Sequence, residues 1–278
     1  MRLTIICDNT VGRPIPAIGE HGFACFIESP EHNWLFDTGR GHSLLHNLSV
    51  LDIDPKKIDR IVLSHGHNDH VGGLESLLEQ IGRRPVYAHR QIFSQRYWQG
   101  QHERRNISIP FKRQQLEAKG ADFIWVDHFQ RLSQTIFISG RIPRKHPEET
   151  GDSHLVCTSA NGRIETDQFP DDMALALLTG RGLIVLFGCA HAGFINTIEH
   201  FRQHLPNCSI HAVVGGTHLG PVSDAQFTAT ISYLDTLSFN RLGLSHCTGQ
   251  IRAAQLHARY PNKVFFANVG TIIECSDP

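Results

Sequence analysis

The sequence predicts an α/β protein built of layered sheets. Two regularities carry that reading. Short apolar runs of strand length alternate with amphipathic runs of helical period along most of the chain. Four of the strand-like runs also end in histidine-bearing turns, most of them lined with glycine: 64–73 (SHGHNDHVGG), 188–193 (GCAHAG), 215–218 (GGTH) and 245–249 (SHCTG). Strand ends on one edge of a sheet converge on one region, so these turns are expected to meet.

In chain order, 3–7 (LTIIC) and 22–28 (GFACFIE) read as strands joined by a loop with Gly12, Pro14, Pro16 and Gly19. WLF at 34–36 is a third strand, ending at Asp37. Residues 42–51 have helical character, DPKK opens a short turn, and IVL at 61–63 is a buried strand leading into the histidine-rich loop. Leu74, Leu77, Leu78 and Ile81 keep helical spacing up to Gly82, and VYA at 86–88 begins another strand. Two apolar strands surround TGRG within 173–187, a hairpin signal, and the strand, turn, helix scheme then recurs through 194–259 before a last strand at 264–270.

From about 89 to 170 the pattern is less regular. Basic residues (Arg90, Arg96, Arg104, Arg105, Lys112, Arg113) are interspersed with aromatics (Phe93, Tyr97, Trp98, Phe111). A solvated face would explain this plainly. An insertion lying over the site, with arginines for an anionic group and an aromatic for a flat ring, is the sharper expectation.

His65, His67, Asp69 and His70 fall within six residues, directly after a buried strand. Imidazole nitrogen with carboxylate oxygen suits zinc, iron or manganese better than calcium or magnesium. Residues two apart on an extended segment point the same way, so His65 and His67 can close on one ion while Asp69 and His70 turn toward a second. His191 and His246, in later turns, read as further ligands. His218 reads either as a ligand or as a proton donor to substrate. Asp37 is expected to orient the metal loop, an ordinary turn carboxylate being the alternative. His200, His204, His211 and His257 fall on helix or strand bodies and read as structural.

Hydrophobic residues at 40% and charged residues at 19% describe a globular protein, and a net charge of −1 implies no global pull toward nucleic acid. The opening MRLTIICDNT lacks the apolar core of a signal peptide, and no later apolar run is long enough to span a bilayer, so a cytoplasmic protein is expected. Seven scattered cysteines without a CxxC pair fit reduced thiols. Cys189 and Cys247 are set apart only by their neighbours.

The HxHxDH pattern of His65, His67, Asp69 and His70, with Phe36-Asp37-Thr38-Gly39 before it, resembles the metallo-β-lactamase superfamily. EHGFACFIES, SGRIPR, DDMALAL, GCAHAGFINTI, VVGGTHL and SHCTG resemble more narrowly its dihydropterin ribofuranosylaminobenzene phosphate synthase-like members. The resemblance implies one four-layer αββα sandwich over 1–278, with two divalent transition-metal ions at one edge, zinc first and iron or manganese as alternatives. It implies a metal-dependent hydrolase, or a related lyase or synthase, acting through metal-held water on a small phosphorylated or anionic substrate. A pterin-like substrate follows from the narrower resemblance alone. Asp69 and His218 are the catalytic candidates; no nucleic-acid or membrane partner is expected. Typical hydrolases of the superfamily place a histidine before a late hairpin and a metal-bridging aspartate after it. Here Asp171 and Asp172 precede the hairpin and Cys189 and His191 follow it, which leaves His191, His218 and Asp172 open as the bridging residue. A flavodiiron-type redox protein, a nuclease and a non-catalytic metal- or ligand-binding protein are the competing readings.

Overall fold

The computed structural model describes residues 1–159 and 161–276. Two seven-stranded sheets face each other. The first runs, in spatial order, Ile272–Glu274, Arg2–Cys7, Ala24–Glu28, Asn33–Phe36, Arg60–Val62, Arg84–Ala88 and Ala121–Trp125. The second runs Val264–Phe266, Arg241–Ser245, Ile210–Gly216, Gly182–Phe187, Ala174–Thr179, Ile136–Ile138 and Gln130–Arg131.

Alternation along the strands makes the layers. In Gly182–Phe187, Ile184 and Leu186 pack between the sheets with Leu3, Ile5, Trp34 and Phe36. Their neighbours Leu183, Val185 and Phe187 pack outward, where the helices Phe194–His204, Asp224–Thr236 and Gln250–Arg259 contribute Phe201, Leu234 and Leu256. On the far side, Leu35 and Ile61 of the first sheet meet Leu44 and Leu48 of helix Leu44–Val50 and Leu74 and Leu78 of helix Leu74–Ile81. Strands buried on both faces need apolar residues at every position, which explains the unbroken runs in the sequence. The result is the αββα sandwich.

Gly182–Phe187, Ile210–Gly216 and Arg241–Ser245 are parallel neighbours, so the turns after them leave from one edge. Asn33–Phe36 and Arg60–Val62 are likewise parallel and bring Asp37 beside the histidine-rich loop. The stretch expected as a single insertion at 89–170 is instead divided. Ala121–Trp125 extends the first sheet and Ile136–Ile138 the second, because Val126, Ile136 and Ile138 are apolar enough to join the inter-sheet core. Arg96–Gln99, Arg104–Asn106, Leu155–Thr158 and Ile164–Thr166 form a separate four-stranded antiparallel sheet. No helix among the described residues is long and apolar enough to cross a membrane.

Candidate metal centre

The loop after Arg60–Val62 bends at His65 and Gly66, is extended at His67 (φ −96°, ψ 150°) and then makes one helical turn, Asn68–Val71. That change of conformation separates the pair His65 and His67 from the pair Asp69 and His70. His65 Nε2 lies 3.0 Å from His67 Nδ1 and 3.2 Å from His191 Nε2. His70 Nε2 lies 3.3 Å from His246 Nε2, and Asp69 Oδ2 lies 3.4 Å from the same His246 nitrogen. Four donors about 2.0–2.1 Å from one tetrahedral ion sit about 3.3–3.4 Å apart. The donor separations therefore fit metal ions.

Ring orientation is fixed from behind. Asp37, fully buried, accepts from Ser64 N through Oδ1 and from Ser64 Oγ and His70 Nδ1 through Oδ2, each at 2.7 Å. His70 thus carries its proton on Nδ1 and turns Nε2 inward. With its hydrogen given to Asp37, Ser64 Oγ accepts from His65 Nδ1 at 2.9 Å, which leaves His65 Nε2 as the inward acceptor. Asn9 Oδ1 accepts from His246 Nδ1 at 2.9 Å, and Asp8 Oδ1 accepts from the His246 backbone N–H at 2.6 Å. Asp8 and Asn9 were not anticipated; their signal is the polar pair directly after the first strand.

Cys189, which the sequence set apart only by its neighbours, also converges on these donors. Its Sγ is 3.1 Å from His70 Nε2. His65, Cys189 and His191 form one group of converging donors, and His70, Cys189 and His246 form another, so the thiol is common to both. The three residues left open as bridges take different places around these groups. His191 belongs to the first group. Asp172 accepts from Ala192 N at 2.7 Å and so holds the turn carrying His191. His218 lines the cavity in front of the ions' place, 3.9 Å from Asp152 through Nε2, and neither ring nitrogen has a hydrogen-bond partner among the described residues.

Electrostatics follow from burial and neighbours. Burial above all holds His65, His67 and His191 well below the ordinary imidazole range, nearby imidazoles adding to it while Asp69 opposes it at His65 and His67, which keeps them neutral donors. For His70 burial works the same way, but the Asp37 carboxylate outweighs it and lifts the ring to about 9. Burial pushes Asp69 up, yet the His21 and His246 rings facing its carboxylate prevail and keep it well below the usual carboxylate range. His218 is raised: burial opposes, and Cys247, Asp152 and Asp172 overcome it.

Backbone strain marks the same place. Asp37 (φ 59°), Phe169 (φ 47°), Ala190 (φ 56°), His218 (φ 50°) and His246 (φ 46°) all adopt the left-handed region. Such conformations cluster where a structure over-determines them for function. Gly188 makes the close approach possible, since a Cβ there would stand 2.2 Å from Ser64 Oγ. In front of the donors lies a cavity of about 450 Å³, faced by Trp98, Arg105, Asn106 and Leu155 of the small sheet and by Arg40.

Two facing sheets with helices outside and converging metal-competent side chains at one edge are the architecture of the metallo-beta-lactamase fold. The metallo-beta-lactamase superfamily profile matches residues 18–164, and the chain belongs to that superfamily. It is 28% identical over 258 residues to the 7,8-dihydropterin-6-methyl-4-(beta-D-ribofuranosyl)-aminobenzene-5'-phosphate synthase of Methanocaldococcus jannaschii, covering 90% of this chain and 88% of that protein. It is 30% identical to an uncharacterized protein of the same archaeon, covering 98% and 99%. Among solved structures it is similar to a metal-dependent hydrolase of the beta-lactamase superfamily, at 26% identity and a TM-score of 0.84 over all of both chains.

Proposed function

We propose that this chain is a two-metal hydrolase, or a related lyase or synthase, acting on a small anionic substrate, with its sheets working as one domain. His65, His67 and His191 would hold one ion and Asp69, His70 and His246 the other, with the Cys189 thiolate shared between them. The observation that carries this reading is the place of Cys189 Sγ in both donor groups. Sulfur and imidazole together favour zinc, with iron or manganese as alternatives. Two bound divalent ions supply Lewis acidity and a water acidic enough to be a nucleophile near neutral pH.

The chain's own residues do the rest. Asp69, held ionised by His21 and His246, is an acceptor beside the reacting centre. His218, raised and with no hydrogen-bond partner for its ring nitrogens among the described residues, can give a proton to the leaving group. Arg40 and Arg105 flank the cavity with positive charge for an anionic group, and Trp98 offers a flat face. The phosphate ester in the archaeal relative's name and the hydrolase similarity both support a substrate of this kind.

Elemental analysis of protein purified without added metal tests the reading, with two ions per chain expected. Cys189→Ser should reduce the count to one or none, and His67→Ala should abolish turnover across a panel of phosphodiesters, lactones and thioesters. Two tightly held ions in Cys189→Ser would remove the shared thiolate, and full activity in His67→Ala would remove the metal-water chemistry.

A further inference from the structure

Two cysteines line the cavity among the described residues, and the shared-ligand reading uses one of them. The second, Cys247, is half-buried in the short 3-10 turn His246–Thr248. Its Sγ accepts from the His218 backbone N–H at 3.1 Å and lies 3.7 Å from the Cys189 carbonyl oxygen. The two sulfurs and a His218 ring nitrogen all lie within 4.8 Å of one another. Gly216 leaves the space between them open: a Cβ there would stand 2.7 Å from Cys247 Sγ and 3.5 Å from Cys189 Cα. A structural role explains a buried thiol but not two thiols facing one cavity at this separation.

We propose that Cys189 and Cys247 are an oxidisable dithiol, converted by a hydroperoxide to an intramolecular disulfide that withdraws Cys189 from the metal centre. Cys247 is the more exposed and attacks first. Its sulfur forms an S–O bond to the peroxide as the O–O bond breaks, giving a sulfenic acid and, from hydrogen peroxide, one water. The Cys189 sulfur then attacks the Cys247 sulfur, the S–S bond forms, the S–O bond breaks, and a second water leaves. The two thiols lose two electrons and two protons, and the peroxide receives both. Closure to about 2.05 Å brings the sulfurs into bonding contact and leaves no thiolate for the ions. The effect on the ions rests on Cys189 as shared ligand; the disulfide does not.

The test treats the full chain, before and after chelation, with stoichiometric hydrogen peroxide and maps peptides under non-reducing conditions. A Cys189–Cys247 linked peptide, loss of two thiols and reversal by dithiothreitol are expected, with oxidation roughly tenfold slower when zinc engages the Cys189 sulfur. Cys247→Ser should yield no linked peptide. Linkage of either cysteine to a different partner, or separate oxidation of each to sulfinic acid, would overturn the proposal. Should Cys247→Ser fail to fold, phenylarsine oxide decides: it should block both thiols of the wild-type protein together, and capture of one alone counts against the pair. A linked peptide in protein that still holds two ions supports the dithiol and removes Cys189 from the ligand set, so the two ideas fail separately.

Discussion

Asp37 carries three hydrogen bonds on two oxygens, and its left-handed backbone (φ 59°) is one that asparagine tolerates. Asp37→Asn therefore leaves the turn unstrained and isolates the chemistry. Its amide must turn a donor either against the Ser64 backbone N–H or against Ser64 Oγ and His70 Nδ1, so at least one of the three bonds behind the metal loop is lost. Metal affinity should fall roughly 10–100-fold with little change in the unfolding midpoint, the usual cost of losing a partner behind a liganding histidine. Competition with a chelator measures it, and an unchanged affinity would mean that Asp37 serves the turn alone. At this scale the contiguous HxHxDH cluster was legible because its chemistry is local. The placing of Cys189 was not, since a thiol announces nothing until the fold sets His65 on one side of it and His70 on the other.

Among the helices, Phe194–His204 shows how an element is tied to the site. It leaves the turn that carries Cys189 and His191, and its first N–H groups are received by the buried Glu149, which accepts from Ile195 N at 2.7 Å and Asn196 N at 2.8 Å. Burial raises the Glu149 carboxyl to about 7 against these hydrogen bonds. With the folded-state value above the unfolded one, the folded chain holds a proton that the unfolded chain gives up between about pH 4.5 and 7. Stability from this group is complete below that window and is lost as pH rises through it. In urea unfolding, the advantage of wild type over Glu149→Gln should shrink by roughly 2–4 kcal/mol from pH 4.5 to 7.5; a difference that is flat in pH would contradict this. The sequence displayed that helix through its apolar spacing. It hid the small sheet, because Arg104–Asn106 and Ile164–Thr166 are exposed throughout and have no buried face to impose alternation.

Across the whole molecule, one buried arginine joins parts that lie far apart in sequence. Arg96, 1% exposed, leaves the small sheet to donate to Asp167 Oδ2 and to Asp171 Oδ1, each at 2.6 Å. Asp171 also accepts from Gly66 N at 2.9 Å, between the metal-loop residues His65 and His67. The guanidinium lies over Phe169, 5.5 Å from its centroid, and Phe169 stacks on His191 at 4.0 Å. Arg96, one of the arginines that the insertion reading offered to an anionic group, is not free for one, because two carboxylates of the chain take its charge. Asp171, weighed with Asp172 for its place before the hairpin, is an anchor of the metal loop. Arg96→Met should therefore strand two buried carboxylates and cost about 3–5 kcal/mol. Adding Asp167→Asn and Asp171→Asn to the same protein should recover much of that loss, because the neutral amides no longer carry uncompensated charge into the interior. Urea unfolding at neutral pH reads both changes. A loss below about 1 kcal/mol in Arg96→Met would mean that water reaches these carboxylates and that the small sheet is held over the cavity by other contacts.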